Sequence, residues 1–212
     1  MKNTVVLFCG PAGSGKDTSY EILRRQLLGN CLQECQLEIS KYSFGRSLKE
    51  IAVELSSLFI DAHFSADAMD SLEYKEAYRP EYKLYIGSSG QPQPFVIRTL
   101  LQHVGTDILR KHLGDDIFAK AVINKLDEQF KKTFNQIAII TDLRFPNEQN
   151  AVLEYCNKNE YRCITVYIER NGRINNSAHS SESYYNYLRK DIIINNNGTL
   201  LDLEAEIKKI QL

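Results

Sequence analysis

The sequence predicts an α/β fold in which helices cover both faces of a parallel sheet. A short, uninterrupted apolar run from Thr4 to Cys9 is ended by glycine, which is typical of a buried parallel strand. Apolar runs of strand length then alternate along the chain with segments of helical periodicity, the order of a parallel sheet with crossover helices. The chain has 212 residues, 43% of them hydrophobic, so it can bury a substantial core in one domain.

The elements follow from apolar spacing and from the glycine, proline and polar residues that separate them. The predicted strands are Thr4–Cys9, Leu37–Phe44, Ile137–Thr141, Cys163–Ile168 and Asp191–Ile194. The predicted helices are Asp17–Leu28, Ser47–Phe59, Phe95–Leu113, Asp115–Lys132, Asn147–Lys158 and a terminal helix from Leu200. The clearest amphipathic pattern lies in the second helix, where Leu48, Ile51, Ala52, Leu55 and Leu58 share one face.

One stretch, residues 61–95, breaks this alternation. It carries four tyrosines among charged residues and closes on glycines and prolines. We expect a single domain, residues 1–212, with 61–95 as an insertion or flap. The tyrosine spacing fits a helix face as well as a ligand wall.

Charge and hydropathy exclude several kinds of partner. The 26 basic and 27 acidic side chains leave a net charge of −1, so no overall field attracts nucleic acid or anionic lipid. The apolar run at Val5 to Cys9 is far too short to span a bilayer. We therefore expect a cytoplasmic protein, in the host cytoplasm if the source is viral, with no nucleic-acid or membrane partner.

The five cysteines are an odd number, and two of them fall in predicted strands, which favours reduced thiols over a disulfide framework. Cys31 and Cys35 have no second pair at metal-ligand spacing. A zinc site at this pair is the alternative.

The segment after the first strand, Gly10 to Lys16, has the pattern of a phosphate-binding loop. In such a loop glycines let successive backbone amides turn inward, and the N-terminus of the following helix adds partial positive charge. The expected contacts to the donor phosphates come from Gly10, Ala12, Gly13, Ser14 and Gly15, with Lys16 against the β and γ phosphates. The alternative is a glycine-rich turn that binds nothing.

The residue after Lys16 is Asp17, where many such loops have a magnesium-binding hydroxyl, and the hydroxyl comes one position later at Thr18. Asp17 could hold magnesium through a water while Thr18 contacts a phosphate. Equally, Asp17 could cap the helix.

A second acidic position, Asp142, follows the third long strand, with Arg144 two residues later. A carboxylate at the carboxyl end of a parallel strand points into the crevice where ligands bind in such sheets. Asp142 is therefore a candidate for magnesium or a substrate hydroxyl, and Arg144 for a phosphate. The alternative is a surface ion pair between the two.

Five motifs in this order make the chain resemble the bacteriophage-type deoxynucleoside monophosphate kinases. They are Gly10–Thr18, Arg98–Asp107, Thr141–Glu148, Ala178–Glu182 and Ile194–Leu200. The resemblance covers nearly the whole chain except residues 61–95. It implies a P-loop three-layer α/β/α fold with a five-stranded parallel sheet of order 2-3-1-4-5, and transfer of phosphate from ATP to a deoxynucleoside monophosphate.

The resemblance also implies roles for particular residues. Lys16 and the loop amides would hold the ATP phosphates, with Mg²⁺ and the transfer site at Asp142 and Arg144. The residues implied around the acceptor are Lys49, Arg98, Gln102 and Asp107, with Arg98 gripping the monophosphate. Those implied beside ATP are Arg170, at the head of a lid-like stretch 170–187, and Asn197 and Gly198 in the turn beside the adenine.

Other functions remain open at this point. The phosphate end looks alike in kinases of phosphomevalonate or dephospho-coenzyme A, and a non-catalytic nucleotide-binding module would carry the same loop. Members of this family often have a proline directly before the Leu-Lys pair that corresponds to Leu48 and Lys49. This chain lacks that proline, which leaves the roles of Arg46 and Lys49 open. A homodimer is also possible, and the bases accepted do not follow from spacing.

Overall fold

The computed structural model describes residues 2–30, 37–58, 64–85, 92–132, 135–171 and 180–212. The chain forms two compact units. The first combines Met1–Phe44 with Ala119–Leu212, and the second is Gly45–Phe118. Among the described residues no helix has the length and apolar character needed to cross a membrane.

The first unit is built on a five-stranded parallel sheet. Its strands are β1 (Thr4–Cys9), β2 (Glu38–Tyr42), β5 (Gln136–Leu143), β6 (Arg162–Glu169) and β7 (Ile192–Asn195). Their order in space is β2-β5-β1-β6-β7, and every neighbouring pair is parallel. Counted within this sheet the order is 2-3-1-4-5, so the predicted fold class is confirmed.

The central strand explains why the sheet needs cover on both faces. Successive side chains of a strand point to opposite faces, and all six residues of β1 are buried. The helices of this unit are α1 (Lys16–Asn30), α6 (Ile117–Phe130) from its third residue on, α7 (Pro146–Lys158) and α8 (Leu200–Ile207), with a 3₁₀ segment at Ser180–Tyr187. One core cluster joins Val6 and Phe8 of β1 to residues of α1 and α8, such as Leu23 and Leu203.

This topology places the functional loops at one edge of the sheet. Parallel strands all end at the same edge, where ligands bind in open α/β sheets. The register aligns Cys9 with Leu143 and Tyr167, and Glu169 with Asn195. The segments after β1, β5 and β7 therefore leave the sheet at the same edge.

The second unit consists of short elements. They are α2 (Phe44–Ser57), a 3₁₀ turn at Ala68–Asp70, α3 (Leu72–Glu76), the antiparallel pair β3 (Lys83–Tyr85) and β4 (Pro92–Pro94), α4 (Ile97–Gln102), a π-helix at His103–Arg110 and α5 (Lys111–Leu113). Phe64, Tyr82 and Phe95 meet at ring-centroid distances of 5.7 to 6.4 Å. Tyr82 and Tyr74 thus pack on the core of this unit.

The structure refines several predicted segments. Part of the 61–95 stretch is regular, with a 3₁₀ turn, a short helix and a two-stranded sheet. The helix predicted at Phe95–Leu113 begins at Ile97 and contains the π-helical segment. Cys31, Cys35, Phe59 and residues 172–179 of the lid-like stretch lie outside the described residues, as does the first part of Ala178–Glu182. Cys9, Cys156 and Cys163 are free thiols.

Candidate functional site

The loop between β1 and α1 has the backbone that the glycine pattern predicts. Gly10, Gly13 and Gly15 have φ values of 140°, 71° and 100°, which favour glycine. A Cβ atom on Gly10 would lie 2.4 Å from the backbone oxygen of Ile168, so the loop also passes too close to β6 for a larger residue. Ser14, in the middle of the loop, is fully buried, and its hydroxyl has no hydrogen-bond partner within the part of the chain that the structure describes.

The ammonium group of Lys16 folds back on this loop. Its Nζ donates to the carbonyl oxygens of Gly10 at 2.7 Å and Pro11 at 2.8 Å. Burial lowers the pKa of Lys16 from 10.5 to about 8, and the Arg144 charge adds to this, while Asp17 and Asp142 act in the opposite direction. The charges of Arg144, Asp17 and Asp142 therefore lie close enough to Lys16 to affect it.

Asp142 lies near the carboxyl end of β5, as predicted. Its two carboxylate oxygens accept hydrogen bonds from the Ser43 hydroxyl at 2.7 Å and from the Phe44 backbone N–H at 2.8 Å. Phe44 is the first residue of α2, so this carboxylate satisfies one of the N–H groups that a helix start leaves unpaired. The bonds fix the position of Asp142 between the ends of two strands.

Asp17 lies in the first turn of α1, where a negative charge is favourable. Its carboxylate accepts a hydrogen bond from Lys41 Nζ at 2.8 Å, and the Lys41 ammonium also lies 4.9 Å from the centre of the Tyr20 ring. Burial acts to lower the pKa of Lys41, but the hydrogen bond to Asp17 and the nearby negative charges outweigh it, so this pKa is raised. Because α1 begins at Lys16, Asp17 is its second residue and does not occupy the N-cap position. Its metal role stays a prediction, and Thr18 next to it is exposed.

The segment after β5 is held by a buried carboxylate. Glu148 is 2% exposed, and it accepts hydrogen bonds from the backbone N–H groups of Arg144 and Phe145, both at 3.2 Å. Pro146 follows at the first position of α7, where its missing N–H costs nothing. The backbone of Arg144 is thereby fixed, while its side chain remains exposed.

The turn between β7 and α8 reaches the phosphate loop through a residue that the sequence analysis did not single out. Asn196 donates from its side-chain amide to the backbone oxygen of Ser14 at 2.7 Å. Its neighbour Asn197 accepts from the backbone N–H of Asn171, which directly follows Arg170. At Gly198 a Cβ atom would come within 2.4 Å of the Asp202 carboxylate. Three consecutive asparagines gave no signal for which one faces the loop.

The predicted acceptor residues all lie in the second unit. Arg98 pairs with Glu76 at 3.0 Å, and Lys49 pairs with Asp70. Asp107 lies in the π-helix and contacts His103 at 2.9 Å, whereas Gln102 is the last residue of α4. The role of each residue in acceptor binding stays a prediction.

Fold and loop together define a P-loop protein of the three-layer α/β/α class: a parallel sheet of order 2-3-1-4-5 whose first strand runs into a glycine-rich loop, a lysine and a helix. The family model described as deoxynucleotide monophosphate kinase matches residues 32–207. The chain therefore belongs to the deoxynucleotide monophosphate kinase family. Since the match begins after the phosphate loop, the loop and the family match are separate observations that agree.

Solved structures offer a more distant comparison. The APS kinase CysC of Mycobacterium tuberculosis, solved as a mutant, is 13% identical with a TM-score of 0.44 over 98% of this chain and 96% of that chain. The same kinase solved with AMPPNP and APS is 10% identical with a TM-score of 0.43 over the same shares. No curated protein matches the sequence.

Proposed function

We propose that this chain transfers the γ-phosphate of ATP to a deoxynucleoside monophosphate and so forms the diphosphate, with Mg²⁺ bound to the donor. Family membership supports a nucleotide kinase activity. The observation that carries the proposal is the loop Gly10–Gly15 with the Lys16 ammonium behind it.

On the donor side, Lys16 would exchange its two carbonyl acceptors for phosphate oxygens when ATP binds. A lysine bound to neutral carbonyls gains by this exchange, because a contact with a phosphate oxygen adds the attraction of opposite charges to the hydrogen bond. The loop amides and the N-terminus of α1 would hold the same phosphates. Arg144 is exposed and close enough to affect the pKa of Lys16, so it supports a second positive contact.

The residues present fit a magnesium ion that is carried largely by the nucleotide. Mg²⁺ keeps several waters and is usually bound through one or two carboxylates together with substrate phosphates. Among the described residues no group of three or more His, Cys, Asp or Glu side chains could hold a metal alone. Asp142 supplies one hard oxygen ligand whose position is fixed by Ser43 and Phe44. When bound, the ion would neutralise charge on the phosphates.

On the acceptor side, Arg98 is the proposed contact to the monophosphate. Its ion pair with Glu76 joins groups that are 40% and 51% exposed, and such a pair contributes little. A phosphate dianion, which offers more negative charge than one carboxylate, could replace Glu76. Lys49, Gln102 and Asp107 complete the proposed acceptor set.

The reaction then needs alignment rather than covalent help from the protein. An oxygen of the acceptor phosphate attacks the γ-phosphorus of ATP, and the bond from that phosphorus to the oxygen bridging it to the β-phosphate breaks, which leaves ADP. Lys16 and Arg144 would offset the negative charge that spreads over the transferred group. Holding both substrates in line supplies the remaining rate enhancement.

A panel of acceptors scored by ADP release tests this proposal. All deoxy- and ribonucleoside monophosphates, phosphomevalonate and dephospho-coenzyme A are offered separately with ATP and magnesium. We expect good turnover only with one or more deoxynucleoside monophosphates. Turnover of phosphomevalonate or dephospho-coenzyme A would contradict the acceptor class, and ATP binding without any acceptor-dependent turnover would favour a non-catalytic module.

A further inference from the structure

We propose that Asn196 is a positioning residue for the phosphate loop, whose side chain orients the peptide bond between Ser14 and Gly15 so that the Gly15 N–H faces the donor phosphates. This inference rests on the proposed function, because it takes the loop to bind ATP. It assigns Asn196 to the loop backbone and not to the adenine.

The contact is buried and anchored at both ends. Asn196 is 8% exposed, and its Nδ2 donates to the Ser14 carbonyl oxygen at 2.7 Å. Its backbone N–H donates to the carbonyl oxygen of Glu169 at 2.8 Å, at the end of β6. Glu169 is itself in register with Asn195 of β7. The side-chain amide is thus held by the sheet, and a fixed donor can impose an orientation on a glycine-rich loop.

The orientation follows from the geometry of the peptide unit. In a trans peptide the C=O of one residue and the N–H of the next point in opposite directions. The bond from Asn196 to the Ser14 oxygen therefore turns the Gly15 N–H away from Asn196. The next peptide is also fixed, because the Gly15 oxygen accepts from the Ser19 N–H at 2.8 Å.

The glycine at position 15 makes the contact possible. A Cβ atom there would lie 2.4 Å from Asn196 Nδ2, and φ is 100°. Neighbouring asparagines do not duplicate the role, since both are exposed and Asn195 Oδ1 accepts from the Asn197 backbone N–H. Without the Asn196 amide, the peptide bond between Ser14 and Gly15, which has a glycine on each side of Ser14, would rotate more readily, and the phosphate loop would lose a correctly oriented donor.

The test uses a probe that has phosphates but no base. Calorimetry with inorganic tripolyphosphate and magnesium, then with ATP and GTP, compares wild type with Asn196→Ala. We expect about 10-fold to 100-fold weaker binding of all three, the effect of losing one hydrogen bond to a charged group, with the ratio of ATP to GTP affinity unchanged. Tripolyphosphate binding within twofold of wild type, or loss confined to ATP, would overturn the proposal.

Gln149→Ala is the matched control for general loosening. Gln149 is also a buried amide, 3% exposed, and it donates to Thr165 Oγ1 at 2.9 Å and to the Arg189 carbonyl oxygen at 2.8 Å. We expect this variant to lose stability in a thermal melt but to bind tripolyphosphate within twofold of wild type. If tripolyphosphate binding weakens equally in Asn196→Ala and Gln149→Ala, the effect comes from general loosening of the fold, and the proposal is overturned.

A measurement on wild type keeps the proposal testable if Asn196→Ala does not fold. Tripolyphosphate should shift the amide proton resonance of Gly15 strongly downfield, because that N–H would donate to a phosphate oxygen. An unmoved Gly15 resonance under saturating tripolyphosphate would overturn the inference. These measurements require no turnover. If the chain binds as expected but phosphorylates no nucleotide, the proposed function is contradicted and the role of Asn196 is not.

Discussion

The lowered pKa of Lys16 leads to a specific dependence of ATP affinity on pH. Burial, and then the charge of Arg144, lower this pKa from 10.5 to about 8. The protonated amine is the form that attracts phosphate, so it is present below that pKa and lost above it. Affinity for ATP should therefore be full near neutral pH and fall as pH rises through the pKa of the free protein.

The size of the effect follows from the pKa and linkage. At about pH 7 roughly nine-tenths of Lys16 is charged and at about pH 9 roughly one-tenth, so the Kd for ATP should rise about tenfold between them. The nucleotide contributes little to this change, because phosphate monoesters lose their second proton near pH ~6. The thiol of Cys9 does not interfere either, because burial raises its pKa to about 12.

Calorimetry with ATP and magnesium at several pH values and one ionic strength is the assay, with circular dichroism to show that the fold persists. Arg144→Gln should move the midpoint to higher pH, because it removes a positive charge that disfavours the protonated amine. Lys16→Ala should bind weakly without this dependence. A wild-type Kd that stays within twofold across the range would refute the reasoning.

Three substitutions test other parts of the site. Lys16→Ala should lower kcat about 10²-fold or more, because a preorganised positive charge is lost from the transfer step, while exposed Lys2→Ala should have no effect in the same ADP-release assay. Glu148→Ala should lower the free energy of unfolding by about 1–3 kcal/mol in a urea titration, because two backbone N–H groups lose their acceptor. Arg98→Ala should raise the KM of the acceptor about tenfold, because the contact to its phosphate is lost, with little change in the KM of ATP. Glu76→Gln should modestly lower the KM of the acceptor, because it removes the carboxylate that competes for Arg98.

Each of these expectations has an outcome that contradicts it. Near-normal turnover of Lys16→Ala would remove this lysine from the mechanism. An unchanged unfolding free energy for Glu148→Ala would mean that water satisfies the freed N–H groups. A KM change for Arg98→Ala that falls on ATP instead of the acceptor would place this arginine on the donor side.

The local part of the site could be predicted because its signals lie close together in the chain. An apolar strand, glycines and a lysine within residues 4 to 16 specify the strand, the loop and the helix start, and the structure has all three. The position of Asp142 near the carboxyl end of β5 could be predicted because it depends only on where a buried strand ends, although β5 continues one residue past Asp142, to Leu143.

The partners of these residues were out of reach because they are distant in sequence. Asp17 pairs with Lys41 over 24 positions, Asp142 with Ser43 over 99, and Asn196 with Ser14 over 182. Chain-local patterns carry no information about such pairs. The contact to Asp142 also explains why α2 begins at Phe44 instead of the predicted Ser47, since its capping group comes from another strand.

The π-helix within the predicted Phe95–Leu113 helix was missed for a related reason. Apolar spacing distinguishes helix from strand but does not resolve a local change in helical hydrogen bonding. Gly105 lies in this segment, and a Cβ atom there would approach Leu48 Cδ2 to 2.8 Å. Close packing against α2 is thus a tertiary constraint that a 3.6-residue period does not show.

Competition for the phosphate loop is the decisive experiment. The wild-type chain is titrated with ATP in the presence of magnesium, alone and after saturation with tripolyphosphate. We predict saturable binding at a single site that tripolyphosphate abolishes, because both ligands need the amides of Gly10–Gly15 and the Lys16 ammonium. Absence of ATP binding at millimolar concentration, or binding that tripolyphosphate leaves untouched, would contradict a phosphate-binding role for this loop.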